Sequence, residues 1–542
     1  MMRRVTALSL AALMTVTAVP AVVLADESDE FKTVRIGAPY DPTTLDYAEL
    51  NTDPATWIDL MIGETLIRNK QGEYIGGLAE SWEVSDDAKT WTFTLKEGLT
   101  YSDGETPVTT EDLEYAVKRL MDPEAGHYNA DAGYIFANAE AYYAGECEWD
   151  EVGINVIDEL TIEYTFKNPQ YETTFLSTTI FAPLEEAFVE ELGAEYGSAA
   201  DKLLTDGPFT VSEWISDSSV TLVKNENYWD AESIHMDEMN IILGATGDTA
   251  LDMMLADELD FAPSGNAEQN QILADEGFAN FVYTTSYQCL NLNHAGKTEE
   301  SGLFLGNANF RKALNCAIDR EALCASVITS CAPATRLTAP SEAGVEGKFN
   351  DEYEYEAWSS TADPEKAKEY LELALEELGK TIEDVPVIDL LCYESQGAID
   401  ALAAVQDMLR TNLGIESQIN PQTIQVMISS AMSGDYDLWY GGNSLGIPDA
   451  LDGFLSGYTT AMTTPLRSYT NEEYDALHEA AMAAPTLKER KDNYFEVEKF
   501  FCDNVLILLL GWSNGGYNYK SEYTGFYYDV DVDFTYLDVA AE

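Results

Sequence analysis

The sequence predicts a mixed α/β protein built from more than one domain. Three observations carry this. Apolar strands and amphipathic helices alternate along 387–440, in the β-α-β order of an α/β lobe. Shorter units bounded by turn residues occur earlier, a strand–loop–helix within 78–123 and a hairpin within 207–222. The chain, at 542 residues, also exceeds what one compact core supports, so two or three domains are expected.

Along the chain, Arg3 and Arg4 precede an apolar, Ala-rich stretch over 5–22, and Val23-Leu24-Ala25 supplies cleavage-site residues before Asp26. Residues 1–25 therefore read as a secretory signal peptide. An uncleaved anchor made from the same residues is the alternative. The first cysteine is Cys147, so no acylation point follows the cleavage site. Trp91, Phe93 and Leu95 alternate with Thr92, Thr94 and Lys96, which gives a strand one apolar face. Asp86 and Asp87 mark a turn before it, and Gly104 and Pro107 mark a loop after it. Thr109 can cap a helix whose first turn holds Glu111 and Asp112, where carboxylates suit the helix dipole. Leu113, Ala116, Val117 and Leu120 form its apolar stripe.

Gly207-Pro208-Phe209 opens a strand to Trp214, 216–219 turns, and 220–222 returns. Phe310, Ala313, Leu314 and Ala317 share one helix face, and Asp319 can cap the next helix. Asp363-Pro364 starts a helix that Gly379 ends. A strand at 387–391, a helix at 399–413 and a strand at 437–440 follow, then helices at 472–482 and 487–501. The apolar run 505–510 reads as a buried strand.

Composition excludes several functions. A net charge of −68 repels phosphate backbones and anionic lipid surfaces. No GxSxG, HExxH, P-loop or dinucleotide fingerprint occurs, so no enzymatic activity and no cofactor are expected. His127, His235, His294 and His478 are too widely separated for a metal site. With 97 acidic residues, carboxylate pairs such as Asp86-Asp87 arise by chance. Arg311, Asp319 and Arg320 read as packing groups at a helix junction. The cysteines at 147, 289, 316, 324, 331, 392 and 502 form no CxxC. Cys324 and Cys331 are close enough in sequence to bridge, but connectivity cannot be read from spacing.

The successive motifs LAESWEVSDD, WTFTLKEGLTYSDG and TPVTTEDL, within 78–123, closely resemble the signature of a known family. It is the oligopeptide/dipeptide-binding family (family 5) of extracytoplasmic solute-binding proteins of ABC importers. DGPFTVSEW with VTLVKNENYWD, within 206–230, resembles a second family block. NFRKALNCAIDREAL, at 309–323, resembles a third, and the Asp363-Pro364 helix matches the family's D-P-x-K-A helix. The resemblance implies a two-lobed periplasmic-binding-protein-like fold of the large three-domain type II form, with a hinge between lobes. Residues 26–66, 182–284 and 506–542 would form a discontinuous first lobe. Residues 67–181 would be a subdomain inserted in it, and 285–505 the second lobe. It further implies a monomer in the periplasm or on the outer face of the membrane. Such a protein captures an oligopeptide or dipeptide in the interlobe cleft and delivers it to a permease with ATPase subunits. The same role with an oligosaccharide is the alternative. A secreted hydrolase or a purely structural surface protein would need a motif that is missing.

Two segments align with the family's ligand-facing strands: Glu49-Leu50-Asn51, and Trp439-Tyr440-Gly441-Gly442-Asn443-Ser444. The glycines would let main chain approach a ligand; an ordinary strand-end turn is the other reading. Peptide-binding members typically carry W-x-x-D-Y-x-x-P here, and that Asp holds the peptide's ammonium group. In GGNSLGIP, at 441–448, Ser444 takes the Asp position. A neutral hydroxyl cannot supply a charge-assisted bond. Asp449 and Asp452 are the nearest substitutes. Trp439 and Tyr440 would suit a sugar face as well as a peptide.

Overall fold

The computed structural model describes residues 31–49, 53–70, 73–170, 178–340, 342, 344–345, 347–444, 455–462, 464–465, 468–528 and 532–540. The expected signal at 1–25 lies outside them, as do Leu50, Asn51, Asp449 and Asp452.

An 11-stranded mixed sheet runs through the molecule. Its order is Ser417–Gln422, Ile388–Tyr393, Leu438–Ser444, Ala279–Leu292, Ile507–Tyr519, Phe261–Pro263, Thr33–Ala38, Glu238–Leu243, Ser219–Lys224, Phe209–Ile215. Cys331–Pro333 adds to Ile507–Tyr519 off this path. The two central strands are long, 14 and 13 residues, and pair antiparallel from Ala279↔Tyr519 to Asn291↔Ile507. At about 3.4 Å per residue each spans roughly 45 Å, long enough to serve two cores.

They do serve two. At one end Tyr517 packs with Val34, Ile36, Ile241, Phe261 and Phe534. At the other end alternate residues of Ile507–Tyr519 enter different clusters. Leu508 and Leu510 join Leu290, Leu390 and Leu438. Ile507 and Leu509 join Tyr287, Tyr494 and Phe501 on the other face. Period-2 alternation thus buries both faces of this strand. The molecule is two lobes threaded by one strand pair, and the pair's register slips between Thr284 and Ser286 and again between Gln288 and Cys289.

Of the expected boundaries, 284/285 falls at the first slip. Near the expected boundary at 505/506, the change of core lies further along the chain. The strand changes cores between Trp512 and Tyr517, so 506–512 packs with the second lobe. The reason is the apolar run itself, whose residues fill both second-lobe clusters. Thr33–Ala38 and the chain after Tyr517 share one core.

The inserted region forms its own sheet, in the order Ala79–Val84, Thr90–Leu95, Thr161–Thr165, Ile154–Asp158. Trp91, Phe93 and Leu95 face its core, under the helix Thr110–Leu120 with Leu113, Val117 and Leu120 buried. At the helix start, the Thr109 main-chain N–H and hydroxyl both donate to Asp112 Oδ2, at 2.7 and 3.0 Å. Arg119 clasps Asp46 with bonds of 2.8 and 2.5 Å, joining this subdomain to the first lobe.

The NENYWD turn makes a second joint. Asn225 Nδ2 donates to Gly207 O (2.8 Å) and Asn227 Nδ2 to Ser102 O (3.0 Å). Tyr228 Oη and Trp229 Nε1 donate to the buried Glu64 carboxylate, at 2.5 and 2.9 Å. Gly207 is a glycine because a Cβ there would lie 2.3 Å from the Ile62 carbonyl carbon.

Candidate functional site

The strand Leu438–Ser444 is positioned by its neighbour. Ser286 to Leu292 pair with it antiparallel along its whole length, from Ser286↔Ser444 to Leu292↔Leu438. On the other edge, Ile388–Tyr393 pairs only as Leu390↔Leu438 and Leu391↔Trp439. Among the described residues, no strand pairs with that edge beyond Trp439. Among the described residues, main chain from 440 to 444 is thus strand-paired on one edge only, the arrangement to which an extended peptide can add as a strand.

Alternation along this strand separates the two aromatic candidates. Trp439 is half-buried and leans on Leu391, Met427, Ala431 and Tyr436, with Nε1 3.1 Å from Met427 Sδ. Tyr440 points the opposite way, into the second-lobe core beside Leu290, Leu390 and Cys392. It is 5% exposed, and burial pushes its phenol well above the usual range. Tyr440 thus packs as a core residue. The glycines have internal reasons. A Cβ on Gly441 would lie 3.0 Å from the Trp439 ring. One on Gly442 would lie 2.3 Å from Tyr287 O, across the ladder. Asn443 and Ser444 end the strand, and Ser444 pairs with Ser286 at its last rung.

Glu49 sits in the short 3-10 helix Tyr47–Glu49. Its Oε1 lies 2.6 Å from His127 Nδ1, so this carboxylate is already engaged with the inserted subdomain. Glu49 and the strand Leu438–Ser444 belong to different parts of the fold; among the described residues no hydrogen bond joins them.

A contact among the described residues links the region 67–181 to the helix Leu487–Asp503. Arg490, on the helix Leu487–Asp503, donates from Nη1 to Pro169 O at 3.1 Å. Pro169 is held to the inserted sheet by its neighbours, since Gln170 N donates to Ala88 O and Phe166 N to Lys89 O, both at 2.8 Å. The sequence analysis missed Arg490, Pro169 and His127. None lies in a motif, and a main-chain carbonyl such as that of Pro169 leaves no trace in residue types.

Arg311 and Arg320 act as packing groups. Arg311 donates to the carbonyls of Leu305, Gly306, Asn504 and Val505, at 2.8 to 3.1 Å. Arg320 donates to Leu509 O at 2.7 Å. Burial lowers both guanidinium pKa values to about 10. Both therefore fasten helices to the start of the crossing strand. Among the described residues, no group of three or more His, Cys, Asp or Glu is placed to hold a metal ion. No described helix is long and apolar enough to cross a membrane.

Comparison with known proteins agrees with this architecture. A family description, "Bacterial extracellular solute-binding proteins, family 5 Middle", matches residues 73–463. The oligopeptide-binding protein OppA of Bacillus subtilis is 30% identical over 415 residues, covering 75% of this chain and 74% of that protein. The dipeptide-binding protein DppE of the same organism is 28% identical over 478 residues, covering 86% and 84%. Among solved structures, a periplasmic oligopeptide-binding protein from Borrelia burgdorferi superimposes with a TM-score of 0.74 at 25% identity, covering 94% of this chain and 100% of that one.

Proposed function

The chain belongs to the bacterial extracellular solute-binding proteins of family 5, and we propose that it is the substrate-capturing component of an ABC importer for oligopeptides or dipeptides. The observation that carries this reading is the half-paired strand Leu438–Ser444. Its ladder is filled on one edge and open on the other past Trp439. An extended peptide can satisfy those main-chain groups whatever its side chains, which gives broad specificity. A sugar has no such ladder to offer. Burial of Tyr440 also removes one of the two rings an oligosaccharide would need, and the comparisons give that alternative no support.

In the proposed mechanism, ligand touches both lobes and shifts the population toward a closed form. The two long strands supply the hinge, since their register slips mark where the ladder bends most readily. Glu49, Leu50 and Asn51 would approach from the first lobe, and Trp439, Gly441, Gly442, Asn443 and Ser444 from the second. The closed, monomeric complex would dock on a permease, whose ATPase subunits drive release.

The test is mass spectrometry of ligand released from native protein, followed by calorimetric titration. Peptides are expected in the mass spectrum. N-methylating the ligand's main-chain amides should cost about tenfold or more in Kd where a ladder bond is lost, a loss of ~1.4 kcal/mol. Recovery of a saccharide, or equal affinity for N-methylated peptides, would overturn the reading. Scattering with and without saturating ligand tests closure: an unchanged radius of gyration would refute it.

A further inference from the structure

We infer that Cys324 and Cys331 form a modification site, a dithiol that closes to an intramolecular disulfide against Gly511. Cys324 lies on the helix Arg320–Ser326 and Cys331 opens the strand Cys331–Pro333. That strand pairs with the crossing strand as Cys331↔Ser513, Ala332↔Trp512 and Pro333↔Gly511. Both cysteines are buried over the same glycine. A Cβ built on Gly511 would lie 2.8 Å from Cys331 Cβ and 3.1 Å from Cys324 Sγ. Cys324 Sγ and Cys331 Cβ are therefore no more than about 6 Å apart, against about 3 Å for the same two atoms across a formed disulfide.

Gly511 is absent from the residues with positive φ, so its backbone conformation does not demand glycine. Space does: any side chain there would displace both cysteines. The present thiol contacts are weak. Cys331 Sγ is 3.5 Å from Ser513 Oγ, and Cys324 Sγ is 4.0 Å from Leu510 O. Closure would exchange the weak contacts of Cys331 with Ser513 and Ser330 for the bond to Cys324. An extracellular family also works where disulfides persist.

The reaction is thiol–disulfide exchange with a small-molecule disulfide. One cysteine thiolate attacks a reagent sulfur, forming a mixed disulfide and expelling one reagent thiol. The second cysteine then attacks the protein sulfur and expels the other. Two protein thiols are oxidised, the reagent disulfide is reduced to two thiols, and the cysteine protons pass to them. Burial raises both thiols, Cys324 to about 12, so exchange runs through local opening and is slow in both directions. The closed bond ties the helix to the sheet one residue before Trp512, at the second-lobe end of the hinge.

The experiment incubates the purified full chain with oxidised glutathione, alkylates it in denaturant and digests it with trypsin. One tryptic peptide, 321–336, carries both cysteines. It should appear unalkylated and lighter by two hydrogens, and return to doubly alkylated after dithiothreitol. Cys331→Ser should remove the light species and leave Cys324 alkylated or glutathionylated. Wild-type protein that keeps both residues of this peptide alkylatable after prolonged oxidation overturns the inference. So does linkage of either one to another cysteine. Because the wild-type readout decides the matter, failure of a variant to fold changes nothing.

Discussion

Replacing Arg490 with Met should weaken peptide binding more than it weakens the unliganded fold. Arg490 is 3% exposed, and its Nη1 donates to Pro169 O at 3.1 Å, across from the second lobe to the inserted subdomain. Its guanidinium also lies 5.6 Å from the Tyr494 ring. Arg490→Met keeps the length of the side chain and much of its packing while removing the charged donor. A hydrogen bond from a charged donor contributes about 1.5–3 kcal/mol. If that contact belongs to the closed arrangement, its loss falls on ligand affinity. The expected penalty in Kd is then about 10- to 150-fold. Calorimetric titration with the natively bound peptide reads it, and melting of the unliganded protein supplies the control. A Kd within about threefold of wild type, alongside a clear fall in unliganded melting temperature, would show that Arg490 is only a core residue. The hinge-closure reasoning built on this contact would then fail.

His294→Gln should lose its destabilising effect as pH falls. Burial and the nearby Arg311 hold the His294 pKa down to about 3, and its Nε2 lies 3.1 Å from Leu506 O. The unfolded chain binds this proton near pH 6.5 and the folded one does not, so the stability from neutral His294 is full above pH 7. It declines by roughly 1.4 kcal/mol per pH unit below 6.5. Urea melts at pH 7.5 and 5.5 should show the gap between wild type and variant narrowing, and a gap that widens refutes the assignment. N-acetylation of a bound peptide should cost less than about a hundredfold, or ~2.7 kcal/mol, if Ser444 stands at the position where the resemblance expects an ammonium-binding Asp. A larger loss by calorimetry would make Asp449→Asn and Asp452→Asn the next variants. Gly442→Ala should destabilise the fold by about 1–3 kcal/mol, since its Cβ would sit 2.3 Å from Tyr287 O. A thermal melt matching wild type would mean the ladder there is looser than the structure has it.

Local grammar was legible in the sequence, and the crossing strands were not. The helix Pro364–Leu378 begins and ends where its Asp363 cap, Pro364 and Gly379 predict. Trp91, Phe93 and Leu95 face a core, as alternation requires. By contrast, Ala279–Leu292 was not foreseen, and Ile507–Tyr519 was read only as far as Leu510. Beyond Leu510 the sequence runs Gly-Trp-Ser-Asn-Gly-Gly, which has poor strand propensity. Pairing with the neighbouring strand, residue for residue from Ala279↔Tyr519, overrides it. A strand that changes cores halfway also loses a single periodicity, which is the signal a sequence reading depends on. The same limit applies to Tyr440. Its neighbour Trp439 and the two glycines suggested a binding loop, yet strand alternation turns its ring into the core.

The residues that make the family recognisable hold the joints of the fold. Asn227 fastens this turn to the region 67–181 through Ser102, while Asn225, Tyr228 and Trp229 brace it against Gly207 and Glu64 of its own lobe. Arg311 and Arg320 fasten second-lobe helices to main chain at the start of the crossing strand. These bonds go mostly to backbone, and they constrain geometry without reference to any ligand. A chain can therefore keep every signature and still change what it carries. The proposed site on Leu438–Ser444 follows the same logic, since a peptide added along its edge past Trp439 would be held by its backbone whatever its side chains. Selectivity must then come from groups at the ends of the bound ligand. Ser444, at the last rung opposite Ser286, is where this chain departs from its family's usual residue. On the resemblance to the family, a hydroxyl at that position supplies no fixed charge for a peptide's ammonium group. Affinity that does not depend on a free ammonium terminus is the outcome expected under the proposed function.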